Sequence, residues 1–121
     1  MHHAAKAYGK VAKETAGPRE LEANLLLSAA AKLQALREGK DATRSEFEAA
    51  LLYNRKLWSI FVTSATQNDH PLPAAVRQNI ANLGIFVMSH TMAITSDRRP
   101  ELLDPLISIN RQVAAGLLGR R

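Results

Sequence analysis

The amino-acid sequence predicts an all-α fold, a small up-and-down bundle of four long helices plus a short N-terminal helix. Apolar residues recur at helical spacing, helix formers such as alanine, leucine, lysine and glutamate dominate, and strand-like alternation is scarce. A length of 121 residues suits a single domain, residues 1–121, with one hydrophobic core. Because the connections are short, successive helices are expected to be antiparallel neighbours.

Glycine and proline positions divide the chain into these helices. Pro18 suits a helix start, where its missing N–H is not needed, and Gly39 ends that helix. The prolines of "HPLP" interrupt the chain again, and Asp104 with Pro105 predicts an N-cap followed by a first helical residue. The predicted helices are 19–38, 44–67, 73–95 and 105–118, with a weaker one at 3–15.

The second long helix has two candidate start signals. Ser45 with Glu48 has the spacing of a capping box, in which each side chain bonds to the backbone N–H of the other residue. Thr43 with Glu46 has the same spacing and competes with it.

The composition excludes several classes of site and location. Cysteine is absent, which excludes disulfides, thiolate catalysis and cysteine-based zinc sites. The N-terminal residues lack the apolar core of a secretory signal, and the longest strongly apolar run, "GIFVM", is too short to cross a bilayer. The sequence therefore predicts a soluble cytoplasmic protein without membrane insertion.

The net charge of +5 raises the question of nucleic-acid binding. Phosphate binding needs several cations on one surface, because affinity scales with the number of phosphates neutralised together. The positive charge here is instead spread along the chain, with small clusters only. These clusters are Lys6/Lys10/Lys13, Arg98-Arg99 and Arg120-Arg121. The distribution favours a mildly basic solvated surface over a nucleic-acid interface.

Two asparagines lie inside apolar helix stripes. Asn54 shares a face with Leu51 and Trp58, and Asn110 shares one with Leu106 and Val113. A buried amide without a partner costs about 1–3 kcal/mol. We therefore predict a structural role, in which Asn54 and Asn110 pair with each other or with neighbouring backbone and fix the helix register.

The helix predicted at 73–95 is apolar on two faces. Its core stripe is Val76, Ile80, Leu83, Val87 and Ile94, with Phe86 at the edge. The opposite face carries Ala81, Ile85, Met88 and Met92. Such a helix either lies centrally in the fold or presents one face to a partner, and methionines favour the partner because they adapt to amphipathic helices.

A second apolar edge, on the helix predicted at 44–67, widens the candidate surface. The predicted partner-binding residues are Ile85, Met88 and Met92 together with Tyr53, Leu57 and Ile60.

No residue pattern predicts catalysis. The histidines, His2, His3, His70 and His90, share no metal-ligand spacing, and Ser89 beside His90 does not form a nucleophile–base pair on a helix. No glycine-rich loop can cradle a phosphate, since Gly84 lies mid-helix and is expected to allow close helix approach. We predict no catalytic, cofactor or metal site and no small-molecule substrate, so the protein is not expected to be an enzyme.

Four blocks of the sequence together resemble the FlaF family of flagellar biosynthesis regulators. They are "AYGKVAKETAGPRELEANLLLSAA", "LLYNRKLWSIFVTSA", "LPAAVRQNIANLGIFV" and "DPLISINRQVAAGL". The resemblance implies a small cytoplasmic protein that promotes flagellin synthesis and export and binds flagellin in a chaperone-like way. It also implies that the protein functions together with FlbT, which restrains flagellin translation. The resemblance implies no catalytic residue.

The resemblance and the residues lead to three hypotheses. In the first, the predicted partner-binding residues form one apolar surface that orders an amphipathic flagellin segment. In the second, the protein binds flagellin mRNA through Lys6, Lys10 and Lys13, with Tyr8 stacking on a base. In the third, it is an adaptor that acts through FlbT. The sequence favours the first over the second and does not separate the first from the third.

Overall fold

The structure, a computed structural model, describes residues 17–39, 41–67, 69–97 and 99–119. The predicted all-α bundle is confirmed, and these ranges contain no strand. Its helices are α1 (Pro18–Glu38), α2 (Arg44–Ala65), α3 (Ala74–Ser96) and α4 (Asp104–Leu117), with a 3-10 turn (Pro100–Leu103) directly before α4. The short N-terminal helix predicted for residues 3–15 lies outside the described residues.

The helices lie in the order α3, α2, α1, α4 across the bundle. α1 packs against both α2 and α4, and α2 packs against α3. α1 and α4 run antiparallel, because Arg37 at the end of α1 pairs with Asp104 at the start of α4 at 2.9 Å. Within the described ranges, α3 and α4 make no comparable contact with each other. These two outer helices line opposite sides of a groove.

The start of α2 is fixed by the Thr43 capping box. The Glu46 N–H donates to Thr43 Oγ1 at 3.0 Å, and the Thr43 N–H donates to Glu46 Oε1 at 3.2 Å. The competing prediction of a box at Ser45 is wrong. Ser45 already lies inside the first turn of α2, and Glu48 accepts instead from Arg44 at 2.9 Å.

The prediction that Asp104 caps α4 is also wrong. The 3-10 turn runs directly into α4, so Asp104 has a helical backbone (φ −55°, ψ −45°) and makes no side-chain cap. Its carboxylate is consequently free to pair with Arg37.

The core is centred on Trp58, which is wholly buried and packs edge-on against Phe61 at a ring-centroid distance of 5.5 Å. Gly84 of α3 lies against α2 beside Trp58 and Val62. A Cβ at Gly84 would overlap the side chain of Val62, so the absence of a side chain allows the close approach that the sequence predicted. The other large apolar side chains that are wholly buried are Leu26, Leu33, Val87, Ile94, Leu103 and Leu106.

Candidate functional site

The predicted pair of asparagines lies at the centre of the bundle. Asn54 and Asn110 are both wholly buried, and Asn110 Nδ2 donates to Asn54 Oδ1 at 2.7 Å. Asn110 Nδ2 also lies 3.3 Å from the carbonyl oxygen of Leu26, and Asn110 Oδ1 accepts from Trp58 Nε1 at 2.8 Å. One amide thereby joins α1, α2 and α4. Because it is closed to solvent, this arrangement positions helices and offers no access to a substrate.

One polar atom of this network is left over. Asn54 Nδ2 is buried and has no hydrogen-bond partner among the described residues. Its orientation is fixed by Asn110, because turning the Asn54 amide over would bring two NH₂ groups together. The network therefore leaves one donor, Asn54 Nδ2, buried without a hydrogen bond, which lowers the stability that the network provides.

The second stripe of α3 is only partly exposed. Ile85 and Met92 are each 71% exposed and lie seven residues apart on the same side of the helix. Met88, which was predicted to be exposed with them, is half-buried and packs against the core. The open surface, called the α3 face below, therefore consists of Ile85 and Met92.

The three candidates on α2 lie on a different surface. The Tyr53 ring lies under the ammonium of Lys32 of α1, with 5.1 Å between Nζ and the ring centroid. Leu57 and Ile60 line a shallow recess of about 130 Å³ that also includes Leu25 of α1. Ile60 is 69% exposed, so this α1–α2 recess is itself an apolar patch.

The prediction that all six candidates form one surface is wrong. Tyr53, Leu57 and Ile60 lie on the flank of α2 that faces α1. α3 packs against the other flank, where Gly84 meets Val62. The body of α2 thus separates the α3 face from the α1–α2 recess.

A third apolar surface, the α3–α4 groove, was not predicted from the sequence. This cavity of about 560 Å³ lies between the first half of α3 and the second half of α4. Its apolar lining is Leu72, Pro73, Val76, Ile80, Leu83, Ile109, Val113, Gly116 and Leu117. Its polar lining is Arg19, Asn79 and Gln112. Helical periodicity predicts that Val76 and Leu83 lie in the core. In the structure α4 packs on α1, so Val76 and Leu83 line the space between α3 and α4 instead.

The described histidines make structural contacts. His90 Nε2 lies 2.7 Å from the Leu102 carbonyl oxygen, and the ring stacks on Phe86. His70 Nδ1 accepts from the Leu72 N–H at 3.3 Å. Within the described ranges, no three or more potential ligand residues cluster in a way that could hold a metal ion. His2 and His3 lie outside those ranges.

Glu22 is the one described residue with a clearly shifted pKa. Burial raises the pKa of Glu22 above 4.5, while the nearby His70 and Arg19 act in the opposite direction. Glu22 Oε1 lies 3.8 Å from His70 Nε2, and Glu22 Oε2 is buried with no hydrogen-bond partner along the described chain. The carboxylate is thus incompletely solvated when it is charged.

The described chain is thus a small all-α bundle with three separate apolar surfaces. The family model of the flagellar protein FlaF matches residues 4–117, so the chain belongs to the FlaF family. The match covers all three apolar surfaces. No curated protein and no solved structure matches the chain. None of the described helices has the length and hydropathy that crossing a membrane requires.

Proposed function

We propose that this FlaF-family protein binds flagellin in the cytoplasm through the α3 face and thereby promotes flagellin synthesis and export. Membership of a flagellar family supports the biological role. The site is inferred from one observation: Ile85 and Met92 are each 71% exposed and lie on one side of a long helix. Isolated apolar side chains are common on protein surfaces, but two at this spacing form a stripe that suits a partner helix.

The proposed contact is between two amphipathic helices. Ile85 and Met92 are separated by seven residues, which is about 10.5 Å along a helix axis. A flagellin segment that is disordered before polymerisation would become helical on this stripe, and its apolar face would be covered until export. Neither catalysis nor a cofactor is needed for this action, which works by contact alone.

The test is complex formation between the purified protein and monomeric flagellin, measured by size-exclusion chromatography and calorimetry. We expect a stoichiometric complex that Ile85→Asp and Met92→Asp each weaken by about tenfold or more, because a charge is placed where an apolar contact forms. Ile60→Asp is the matched control, since Ile60 is 69% exposed on a different surface. All three variants are expected to retain the thermal stability of the parent protein.

The outcome of this comparison also locates the site. Loss of binding in Ile60→Asp alone would move the site to the α1–α2 recess. Absence of any complex at micromolar concentration would contradict flagellin binding itself. A complex with FlbT but not with flagellin would instead support the adaptor hypothesis. Binding to flagellin mRNA that weakens steeply with salt and needs no protein partner would support the RNA hypothesis.

A further inference from the structure

The α3–α4 groove is apolar along its floor and open at its rim. Ile80 and Leu72 are buried at its base, whereas Val76 is 41% exposed at its edge. Among the described residues that line it, Arg19 is the only charged one, and none of them has a carboxylate. The groove therefore suits a segment with a small apolar face, and cationic side chains of that segment would have to point away from the groove into solvent.

The groove has the length of a short helix. From Val76 to Leu83 along α3 the axial distance is about 10.5 Å, and from Ile109 to Leu117 along α4 it is about 12 Å. Eight helical residues cover about 12 Å. The occupant is thus expected to make contact over little more than two turns.

The described chain begins at one end of this groove. Because α1 and α4 are antiparallel, the start of α1 lies beside the end of α4, and Arg19 belongs to the groove lining. Gly17 is two residues before Arg19, so their Cα atoms are at most about 7.6 Å apart. The residues that precede Gly17 are consequently tethered at the mouth of the groove.

The sequence of that tethered segment matches the groove. In helical spacing, Ala4, Tyr8, Val11, Ala12 and Thr15 share one face. The opposite face carries Lys6, Lys10 and Lys13. Residues 8–15 are eight residues, and as a helix they would cover about 12 Å, which is the length of the groove. We propose that the α3–α4 groove is the docking site of the chain's own N-terminal segment, residues 4–15.

Tethering favours this occupant over a free one. A short linker holds a segment near its site at an effective concentration of about 1 mM or more, so a weak contact is sufficient for docking. Ala16 and Gly17 supply the turn between the docked segment and α1, a length typical of connections between antiparallel helices. This proposal concerns a different surface from the α3 face and does not depend on flagellin binding.

Disulfide trapping tests the proposal in the full chain, which has no cysteine of its own. Tyr8→Cys, Val11→Cys and Ala12→Cys are each combined with Val76→Cys at the groove edge. The control combines the same three substitutions with Ile85→Cys on the α3 face. We expect an intramolecular disulfide in at least one Val76 pair, formed about tenfold faster than in any Ile85 pair.

Three results would overturn the proposal. They are equal rates in the two sets, no disulfide in either set, and a disulfide-linked dimer. The dimer would mean that the groove takes the segment of a second copy. Circular dichroism of each variant establishes that the bundle is intact.

Limited trypsin digestion provides a second measurement without cysteines. Cleavage after Lys10 and Lys13 is expected to be about tenfold faster in Val76→Gln than in the parent chain, because a neutral polar side chain at the groove edge weakens the apolar contact and adds no charge that could attract the lysines. Ile85→Gln is the control and should be cleaved at the parent rate. Equal rates in the parent and in Val76→Gln would contradict docking in the groove.

Discussion

The indole N–H of Trp58 donates a hydrogen bond to Oδ1 of Asn110 across 2.8 Å, and both side chains are wholly buried. The two residues belong to α2 and α4, which are not neighbours in the order of the bundle. A polar contact across the centre of the core has a strict geometry, whereas apolar packing tolerates sliding. The contact therefore fixes how α2 and α4 are aligned.

Asn110→Ala is expected to lower the free energy of unfolding by about 2–4 kcal/mol, because it leaves the Trp58 N–H and Asn54 Oδ1 buried without partners. Urea denaturation followed by circular dichroism measures the change. Ser108→Ala is the control, since Ser108 is exposed on the same helix and should change stability by less than about 0.5 kcal/mol. A loss in Asn110→Ala as small as that of the control would show that the network does not stabilise the fold.

Trp58→Phe combined with Asn110→Ala should destabilise the protein by less than the sum of the two single variants. The reason is that both changes remove the same hydrogen bond. A double-mutant cycle of urea denaturation curves gives this coupling energy, which we expect to be about 1–2 kcal/mol. Strict additivity would mean that the two side chains do not interact energetically.

Gly84→Ala is expected to destabilise the bundle by about 1–3 kcal/mol, because the added methyl group meets Val62 across the α2–α3 contact. Val62→Ala in the same chain should recover part of that loss by making room. Gly116→Ala is the matched control. It has no described atom within 4 Å of its added Cβ, so higher helix propensity should stabilise it by up to about 1 kcal/mol. Thermal unfolding of the four proteins distinguishes overlap from propensity, and equal effects at both glycines would exclude overlap.

Glu22→Gln is expected to raise the melting temperature at neutral pH and to have little effect in acid. Burial raises the pKa of Glu22 in the folded protein above 4.5, so the folded state holds this proton more tightly than the unfolded chain does. The contribution of the Glu22 carboxyl to the free energy of unfolding is therefore fully present below pH 4.5. It is lost as the pH rises through the pKa that Glu22 has in the folded protein.

The measurement is the melting temperature of Glu22→Gln and of its parent at several pH values between about 3.5 and 7. Glu20→Gln is the control, because Glu20 is an exposed carboxylate two residues before Glu22 on α1. A Glu22→Gln variant that is less stable than its parent at neutral pH would show that His70 and Arg19 outweigh burial.

Thr43→Ala is expected to lower the free energy of unfolding by about 1 kcal/mol, since it removes the side-chain acceptor that caps α2. Ser45→Ala should be neutral or slightly stabilising, because Ser45 is a helical residue and alanine has the higher propensity. The same denaturation assay compares them. The reverse ranking would place the start of the helix at Ser45 in solution.

Properties that depend on one helix at a time were predictable from the sequence. Periodicity locates the four long helices and places Asn54 and Asn110 inside their stripes, because burial and spacing act within a single segment. That Asp104 does not cap α4 was not predictable, because the 3-10 turn before it and its partner Arg37 arise from the packing of α4 on α1.

The candidate surfaces depend on how the helices pack against each other, which the helical periodicity of the sequence does not determine. Met88 lies only about 60° from Ile85 on a helical wheel. Met88 nevertheless packs against the core, whereas Ile85 is open to solvent. Tyr53 could be assigned to a surface only when it was known that α1 lies beside it. The α3–α4 groove was missed for the same reason, since a gap exists only between helices whose arrangement is known.

The central asparagine amide has a consequence for how the bundle opens. It connects α1, α2 and α4. The described side-chain hydrogen bonds of α3, in contrast, stay within α3 or reach only the segment before it and the 3-10 turn after it. Apolar contact is thus the main attachment of α3 to the other helices. We expect α3 to detach as a cooperative unit before global unfolding, so that its backbone amides exchange with deuterium faster than those of the other three helices.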